Sequence, residues 1–435
     1  MSRRIVCVGG GPAGLYTAIA ARRAGLRDEI VVLERNPPGV THGWGVVFWD
    51  DLLDTMHRID PVSARALRTA AEVWDGQALR VNHRAPVFLG GSGYAVGRRE
   101  LLALLTARAL ELDVDVRFGT SVQSSVSEAL LAGADVLVAA DGVNSALRAP
   151  HEDALGTTVD HGRQPYIWLG TPRRFSTFTF GFVDTGVGWI WCHAYSFRAD
   201  RSTFIVESSE STWRALGLDV MPVDACLRTL EDLFAHLLEG EPLLLAETQR
   251  PAPDQPAPWT AFQRVDNPRR WHDGNLVLVG DAAHTTHFTI GSGTSLALGD
   301  AAVLGTRLAA QGPVEVLLDG YEAERRAVVE PLQHEADRST AWFADLVGSS
   351  RGPTGDIEGS AARPGGALDD VHLGWSLWQR RQDAPTWRWY LHLATQRSGL
   401  RLLRRTASTA RRTLRAQRRE LARSQRKHTR SRHGT

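Results

Sequence analysis

Cysteine is scarce: Cys7, Cys192 and Cys226 are all that the 435 residues contain. They lie far apart at no metal-ligand spacing, which argues against a zinc or iron–sulfur framework and a disulfide-stapled fold. They read as buried reduced thiols, and no metal is expected. Long apolar runs are also missing, since none reaches the ~20 residues needed to span a bilayer. The chain passes directly from Met1-Ser2-Arg3-Arg4 into the strand-like Ile5-Val6-Cys7-Val8, without an apolar leader or a cleavage site. The expectation is a cytoplasmic protein with no membrane partner. Internal repeats are absent. What remains, 43% hydrophobic and 23% charged residues over this length, is ordinary for a globular protein with two domains and a large core.

Charge is unevenly placed. The net charge is +1, yet from Arg401 onward thirteen Arg or Lys face one acid, Glu420, so the tail is near +12 and the preceding 400 residues near −11. Three readings of the tail stay open. It is a solvated or partly disordered helix, it packs on the acidic body of its own chain or of a partner, anchored by Trp387, Trp389 and Tyr390, or it attracts CoA phosphates or an acidic carrier protein. No motif that reads nucleic acid accompanies the charge, so no nucleic-acid partner is expected.

The pattern along the chain predicts an α/β fold. Strand, glycine turn, helix and strand follow one another over residues 5–33. Further strands are expected at 114–118 and 135–139, and a Leu-rich helix over 98–112. Residues 166–170, 175–183, 189–195 and 202–208 are rich in aromatic and β-branched residues and predict an antiparallel sheet. A Pro-rich connection, 251–258, closes that section. A strand at 276–279 and a helix over 295–310 then resume the first pattern. The expected organisation is residues 1–150 and 261–347 forming one Rossmann-like domain, with 151–260 inserted as a sheet domain that faces the substrate. Residues 348–435 are expected to form a Gly/Pro/Ser-rich loop and a basic helical tail.

Three segments carry chemistry. The first is Gly9-Gly10-Gly11-Pro12-Ala13-Gly14, a GxGxxG between strand and helix. Its glycines permit a tight turn and bring backbone N–H groups and a helix N-terminus to a pyrophosphate. Glu34 and Arg35 end the next strand, where a carboxylate is expected to bind a ribose hydroxyl. The second is Asp141-Gly142-Val143-Asn144-Ser145-Ala146-Leu147-Arg148. The third is Gly280-Asp281-Ala282-Ala283-His284, continuing to Gly291-Ser292-Gly293-Thr294 at a helix start. Together they predict a bound dinucleotide.

In this order the segments resemble the fingerprints of the single-component (group A) flavoprotein aromatic hydroxylases, which share the fold of p-hydroxybenzoate hydroxylase. DGxxSxxR is similar to that family's second fingerprint, and Arg98 sits where the family has an FAD-contacting arginine. The match covers most of residues 1–345. Gly43-Trp44-Gly45-Val46-Val47-Phe48, Tyr166 to Thr171, His193-Ala194-Tyr195, Ser202 to Glu207, His287 to Thr294, Glu335 to Ser339 and Trp342-Phe343 resemble a narrower group. That group contains salicylyl-CoA 5-hydroxylase, the monooxygenase part of 2-aminobenzoyl-CoA monooxygenase/reductase and the tryptophan hydroxylase of violacein biosynthesis. Much of the family has a proline pair where this chain has His287-Phe288.

The resemblance implies non-covalent FAD, NADH or NADPH as transient electron donor, and O2. It implies hydroxylation of an electron-rich ring through a flavin C4a-hydroperoxide. The ring would belong to a small aromatic substrate, an aminobenzoyl or salicylyl thioester tethered to CoA or a carrier protein, or an indole such as tryptophan. The implied FAD contacts are Gly9, Gly11, Pro12, Ala13, Gly14, Glu34, Arg35, Arg98, Asp141, Gly142, Asp281, Gly291, Gly293 and Thr294. His287 and His193 are the catalytic candidates, and Trp44, Trp191, Tyr195 and Phe288 are the pocket candidates. His287 either meets the flavin and handles a proton or braces its loop. His193 alternates with Trp191 and Tyr195, so the three share a sheet face that either lines the pocket or is core. Trp189-Ile190-Trp191 opens like the WxWxIP motif of flavin-dependent halogenases but continues Cys192-His193-Ala194, which excludes that chemistry. A flavin dehydrogenase or reductase, or a non-catalytic FAD-holding interaction protein, remains a rival reading. A monomer or homodimer is expected.

Overall fold

The computed structural model describes residues 3–122 and 133–348, together with Ala410, Thr413, Leu414 and Gln417. The expectations for the Gly/Pro/Ser-rich loop and the basic tail otherwise lie outside the described residues.

Continuous apolar runs form a buried parallel sheet. Its order is His272–Asp273, Leu276–Leu278, Val136–Ala139, Arg4–Val8, Glu29–Leu33 and Asp115–Arg117. All neighbours pair in parallel except the first two. Helix Pro12–Arg23 follows the first strand, and nine of its twelve residues are buried. It packs against Gly293–Leu308, where Gly305 lets the helices meet: a Cβ there would come within 2.4 Å of the Thr17 carbonyl oxygen. Asp60 caps helix Pro61–Ala70 by accepting from the Ser63 N–H, and is held by Arg108 at 2.8 and 2.9 Å.

A second sheet has seven strands in the order Thr260–Asp266, Thr158–Thr171, Arg201–Ser208, Trp189–Arg198, Phe178–Asp184, Gln77–Val81 and Val87–Gly90. The last two come from the first 150 residues, and Gln77–Val81 joins by parallel pairing with Phe178–Asp184. The expected sheet section therefore draws strands from both sides of its expected limits. Period-2 alternation divides this sheet into two faces. Ile167, Leu169, Ile190, Cys192, Phe204 and Val206 form one core with helix Val223–Leu233. Trp191, Tyr195, Phe180 and Phe182 belong to another core, which Phe343 of the long helix Val314–Gly348 joins. A small third sheet, Gly45–Phe48, Gly93–Gly97 and Glu72–Trp74, lies between the two main sheets in the chain's path. Among the described residues no helix is long and apolar enough to cross a membrane.

At one edge the His236 ring lies 4.9 Å from that of His83. Burial, helped by the charges of His83 and Arg80, pulls the His236 imidazole from 6.5 down to about 4. Below about pH 6.5 the unfolded chain takes up this proton while the folded chain does not, so stability falls as the pH drops toward about 4. H236Q removes this loss. Its Tm is expected to decline less than that of the unmodified protein between about pH 7 and pH 4.5, and parallel Tm–pH curves would refute this.

Candidate active site

The turns at the carboxyl ends of the parallel strands open onto a two-part cleft. The outer cavity, about 690 Å3, is lined by Gly9, Gly10, Gly11, Glu34, Arg35, Asp141 and Gly142 among others. The inner cavity, about 260 Å3, is lined by Pro12, Asp281, Gly291, Gly293 and Thr294 on one side and by aromatic residues on the other. Arg98 borders both and marks the seam between them.

The three motif glycines have different jobs. Gly9 has φ +110°, and a Cβ there would lie 2.2 Å from the Ala140 carbonyl oxygen. At Gly14 a Cβ would lie 2.1 Å from the Gly9 carbonyl oxygen, so this position sets how closely helix meets strand. At Gly11 a Cβ would meet nothing within 4 Å. That space belongs to the cleft, beside a helix start without a side-chain cap. Ala13 packs instead toward Gly280, and neither it nor Gly14 lines the cleft.

The acids are partly committed to their own turns. Glu34 Oε2 accepts the Gly10 N–H at 2.8 Å, and its Oε1 accepts from Asn36 N and Nδ2, both at 2.8 Å. Oε2 keeps a second lone pair for a hydroxyl. Asp141 Oδ2 accepts the Ala146 and Leu147 N–H groups, while its Oδ1 is buried and accepts nothing among the described residues. Arg148 donates to the carbonyls of Ala282 at 2.9 Å and Val143 at 2.7 Å, tying the second segment to the third. Asp281 is exposed and lines the inner cavity. Desolvation lifts its carboxyl above the ordinary range, with Arg98 and His284 opposing. Burial correspondingly pulls Arg98 down, with Asp281 opposing.

The cradle at Gly11, the orphaned Asp141 Oδ1 and two cavities that meet at Arg98, whose charge acts on Asp281, fit a dinucleotide better than a compact ligand. The FAD binding domain family matches residues 229–336. Salicyloyl-CoA 5-hydroxylase of a Streptomyces species is 37% identical over 364 residues, 81% of this chain and 68% of that protein. The 3-hydroxy-4-methyl-anthranilyl-(aryl-carrier protein) 5-monooxygenase of Streptosporangium sibiricum is 36% identical over 343 residues, 79% of this chain and 90% of that one.

The chain belongs to the FAD-dependent aromatic monooxygenases.

Protodeoxyviolaceinate monooxygenase of Chromobacterium violaceum, 31% identical over 78% of this chain and 88% of its own, is a further relative. In fold the chain matches 2-methyl-3-hydroxypyridine-5-carboxylic acid oxygenase, with a TM-score of 0.60 at 19% identity over 79% of this chain and 90% of that one. It also matches CtdE in complex with FAD, with a TM-score of 0.58 at 17% identity over 79% of this chain and 95% of that one. FAD is the cofactor of this monooxygenase. The glycine turn, Glu34 and Asp141 would hold its dinucleotide part, and Arg98, Asp281 and the uncapped start of Gly293–Leu308 lie where the inner cavity begins.

Behind the third segment lies a buried brace. Asp300 Oδ2 accepts from His284 Nε2 at 2.8 Å and from the Gly280 N–H at 3.2 Å, while Oδ1 accepts from Arg325 Nε at 2.7 Å. His284 is thus a loop support. Burial works against the Asp300 charge, but His284 and Arg325 together hold its carboxyl below the usual range.

On the sheet side, His193, Tyr195 and Phe288 line the inner cavity. Phe288 packs on Tyr166 at 4.8 Å and edge-on to His193 at 5.7 Å. Tyr195 donates its hydroxyl to the Gly45 carbonyl at 2.8 Å. Two pocket candidates stand behind the wall. Trp191 stacks on Phe343 at 5.6 Å, and Trp44 lies against Gly170. His287 also stands behind the wall, its ring edge-on to Phe262 at 4.8 Å and its Nε2 3.5 Å from Glu207 Oε1. Tyr166, Trp168, Phe178, Phe262 and Glu207 were not among the candidate residues. The first four line the cavity, and the fifth sits behind it. Cross-strand pairing of Tyr166 and Trp191 with Glu207 would have found it, but register is not readable from one strand.

Asp281→Ala removes the one carboxylate that, among the described residues, lines the inner cavity. Its loss is expected to weaken FAD by about 1.5–3 kcal/mol, the worth of a charged hydrogen bond. Flavin titration of the apo-protein measures this, and equal affinity in the variant would remove Asp281 from the site.

Proposed function

We propose that this monooxygenase hydroxylates an electron-rich ring carried on a CoA or carrier-protein thioester, using NADH or NADPH and O2. The supporting observation is the inner cavity with two unlike walls: the FAD segments on one side and His193, Tyr166, Trp168 and Phe288 on the other. Bound FAD, once reduced by the nicotinamide, supplies the activation of O2 for hydroxyl transfer. The chain's own residues do the rest. The aromatic wall orients the ring and excludes water, which would divert the activated oxygen to peroxide. Arg98 and Asp281 fix the cofactor side. The seven-stranded sheet serves as the substrate layer. The two relatives named for CoA- and carrier-protein-linked substrates support the thioester.

A panel of aryl-CoA thioesters, aryl-carrier thioesters and indoles tests this. The expected result is substrate-stimulated NAD(P)H oxidation with one atom of labelled O2 in the product. Nicotinamide oxidation that leaves no label in the product would favour a dehydrogenase or reductase.

A further inference from the structure

Most polar side chains that line the inner cavity are already committed. Tyr195 donates to the Gly45 carbonyl at 2.8 Å. Thr285 Oγ1 donates to the Gln263 carbonyl at 2.8 Å and accepts the Val265 N–H at 2.7 Å. Thr286 Oγ1 pairs with Ser292 Oγ at 2.9 Å. Both ring nitrogens of His193 and the indole nitrogen of Trp168 are buried. Tyr166 differs from all of these. It lines the cavity, and its hydroxyl is neither buried nor hydrogen-bonded among the described residues. Thr294 also makes no such bond, but it stands on the cofactor side at the start of Gly293–Leu308. The Tyr166 ring is well held. Its strand pairs with Glu207 on one side and Thr260 on the other, and Phe288 packs on the ring at 4.8 Å.

Position and charge say what this hydroxyl meets. Strand Thr158–Thr171 is exposed from Thr158 to Arg163, and of its two cavity-lining residues, Tyr166 and Trp168, Tyr166 lies nearer that stretch. Phe262 of the paired strand also lines the cavity and lies against Gly162 of the exposed stretch. The Tyr166–Phe262 end of the cavity therefore adjoins chain that is open to solvent. Arg98 is the one guanidinium or ammonium group that, among the described residues, lines the inner cavity, and the Asp281 charge acts on it. A free aromatic acid would bring in a carboxylate with no cation of its own, which is costly. A thioester carbonyl brings no charge and needs only a donor. We propose that the Tyr166 hydroxyl donates a hydrogen bond to the acyl carbonyl oxygen of the substrate, where the thioester arm leaves the cavity. This rests on the thioester reading above and gives it a residue. Tyr166 sets which end of the substrate faces outward and selects a neutral acyl group over a free acid.

The surroundings keep the hydroxyl a donor. Burial raises the Tyr166 phenol above its ordinary value, and the charges of Glu207 and Asp281 raise it further, so it stays protonated through the neutral range. A carboxylate placed beside it would meet the Asp281 charge as well.

The test uses the FAD-loaded enzyme and three probes that share one ring. They are the CoA thioester of 2-hydroxybenzoate, the 2-hydroxybenzyl thioether of CoA, in which CH2 replaces the carbonyl, and free 2-hydroxybenzoate. Anaerobic titration followed by flavin absorbance gives a Kd for each. The thioester is expected to bind about 10-fold more tightly than the thioether, and the free acid most weakly. Tyr166→Phe should weaken the thioester by about 10-fold and leave the thioether within about twofold, which erases the difference between them. A cavity that was merely damaged would lose both probes alike, so equal weakening of the two overturns the carbonyl contact. Free acid that binds as tightly as the thioester overturns it too. Either result leaves the thioester reading standing as long as aryl thioesters stimulate NAD(P)H oxidation. Should Tyr166→Phe fail to hold flavin, the unmodified enzyme with thioester labelled by 13C at the carbonyl decides the matter. A carbonyl stretch lowered from its value in an aprotic solvent supports the contact, and an unshifted one overturns it. If no aryl thioester binds or stimulates NAD(P)H oxidation while free rings such as indoles do, the thioester reading falls and the contact with it.

Discussion

Gly11→Leu is expected to yield a folded, colourless protein. A side chain at this position meets nothing of the chain within 4 Å, so the fold has no reason to object. The space it would enter is in the outer cavity at the start of Pro12–Arg23, where the pyrophosphate is expected. The expected loss in FAD affinity is at least about 10²-fold, roughly 2.7 kcal/mol. The purified variant should carry little flavin, keep its far-ultraviolet circular dichroism, and unfold near the Tm of the unmodified apo-protein. The neighbours supply the contrast. At Gly9 and Gly14 a Cβ would lie 2.2 and 2.1 Å from backbone oxygens, so substitution there should fail by misfolding. Flavin retained at full occupancy in Gly11→Leu would place the cofactor elsewhere.

This contrast also explains what the sequence made legible. A GxGxxG between strand and helix is constrained by backbone approach over six residues, and Glu34 follows from the next strand's length. The Asp281 segment reads for the same reason: strand, turn and helix are contiguous. Long-range pairing does not read this way. Gln77–Val81 pairs with Phe178–Asp184, about a hundred residues away, and nothing within either segment announces the other. Helices Asp50–Ile59 and Pro61–Ala70, short and joined at Asp60, escaped a reading that followed strands and glycine turns.

The candidate site shows the same divide. Alternation alone put Trp191, His193 and Tyr195 on one face, and the structure has them there. Whether each reaches the cavity depends on what packs on the face from elsewhere. Phe343, some 150 residues later, packs on both Trp191 and His193, and of the three only His193 and Tyr195 line the cavity. Glu207 reads locally as the polar end of an apolar strand. Only its cross-strand neighbours and His287 turn it into the centre of a buried cluster.

The other large effect is expected at Asp300. This carboxylate is fully buried and satisfies His284, Arg325 and the Gly280 N–H together. Asp300→Ala leaves Arg325 as a buried cation without its partner and releases the turn that presents Asp281. Breaking a buried pair from one side costs about 3–5 kcal/mol, because the surviving charge loses its compensation. At about 2–4 °C per kcal/mol for a domain of a few hundred residues, Tm should fall by about 6 °C or more. Flavin affinity should fall with it, since Gly280 and Asp281 are adjacent. Asp300→Asn keeps an acceptor oxygen but not the charge and should fall between. The sign of the pH dependence follows from the carboxyl being held below its ordinary value. Its contribution is fully present above about pH 4 and is lost as the pH falls through the folded-state value. The Tm difference between the unmodified protein and Asp300→Ala should therefore be constant near neutrality and shrink in acid. A gap of less than about 1 °C at neutral pH would mean that the brace follows the fold and does not hold it.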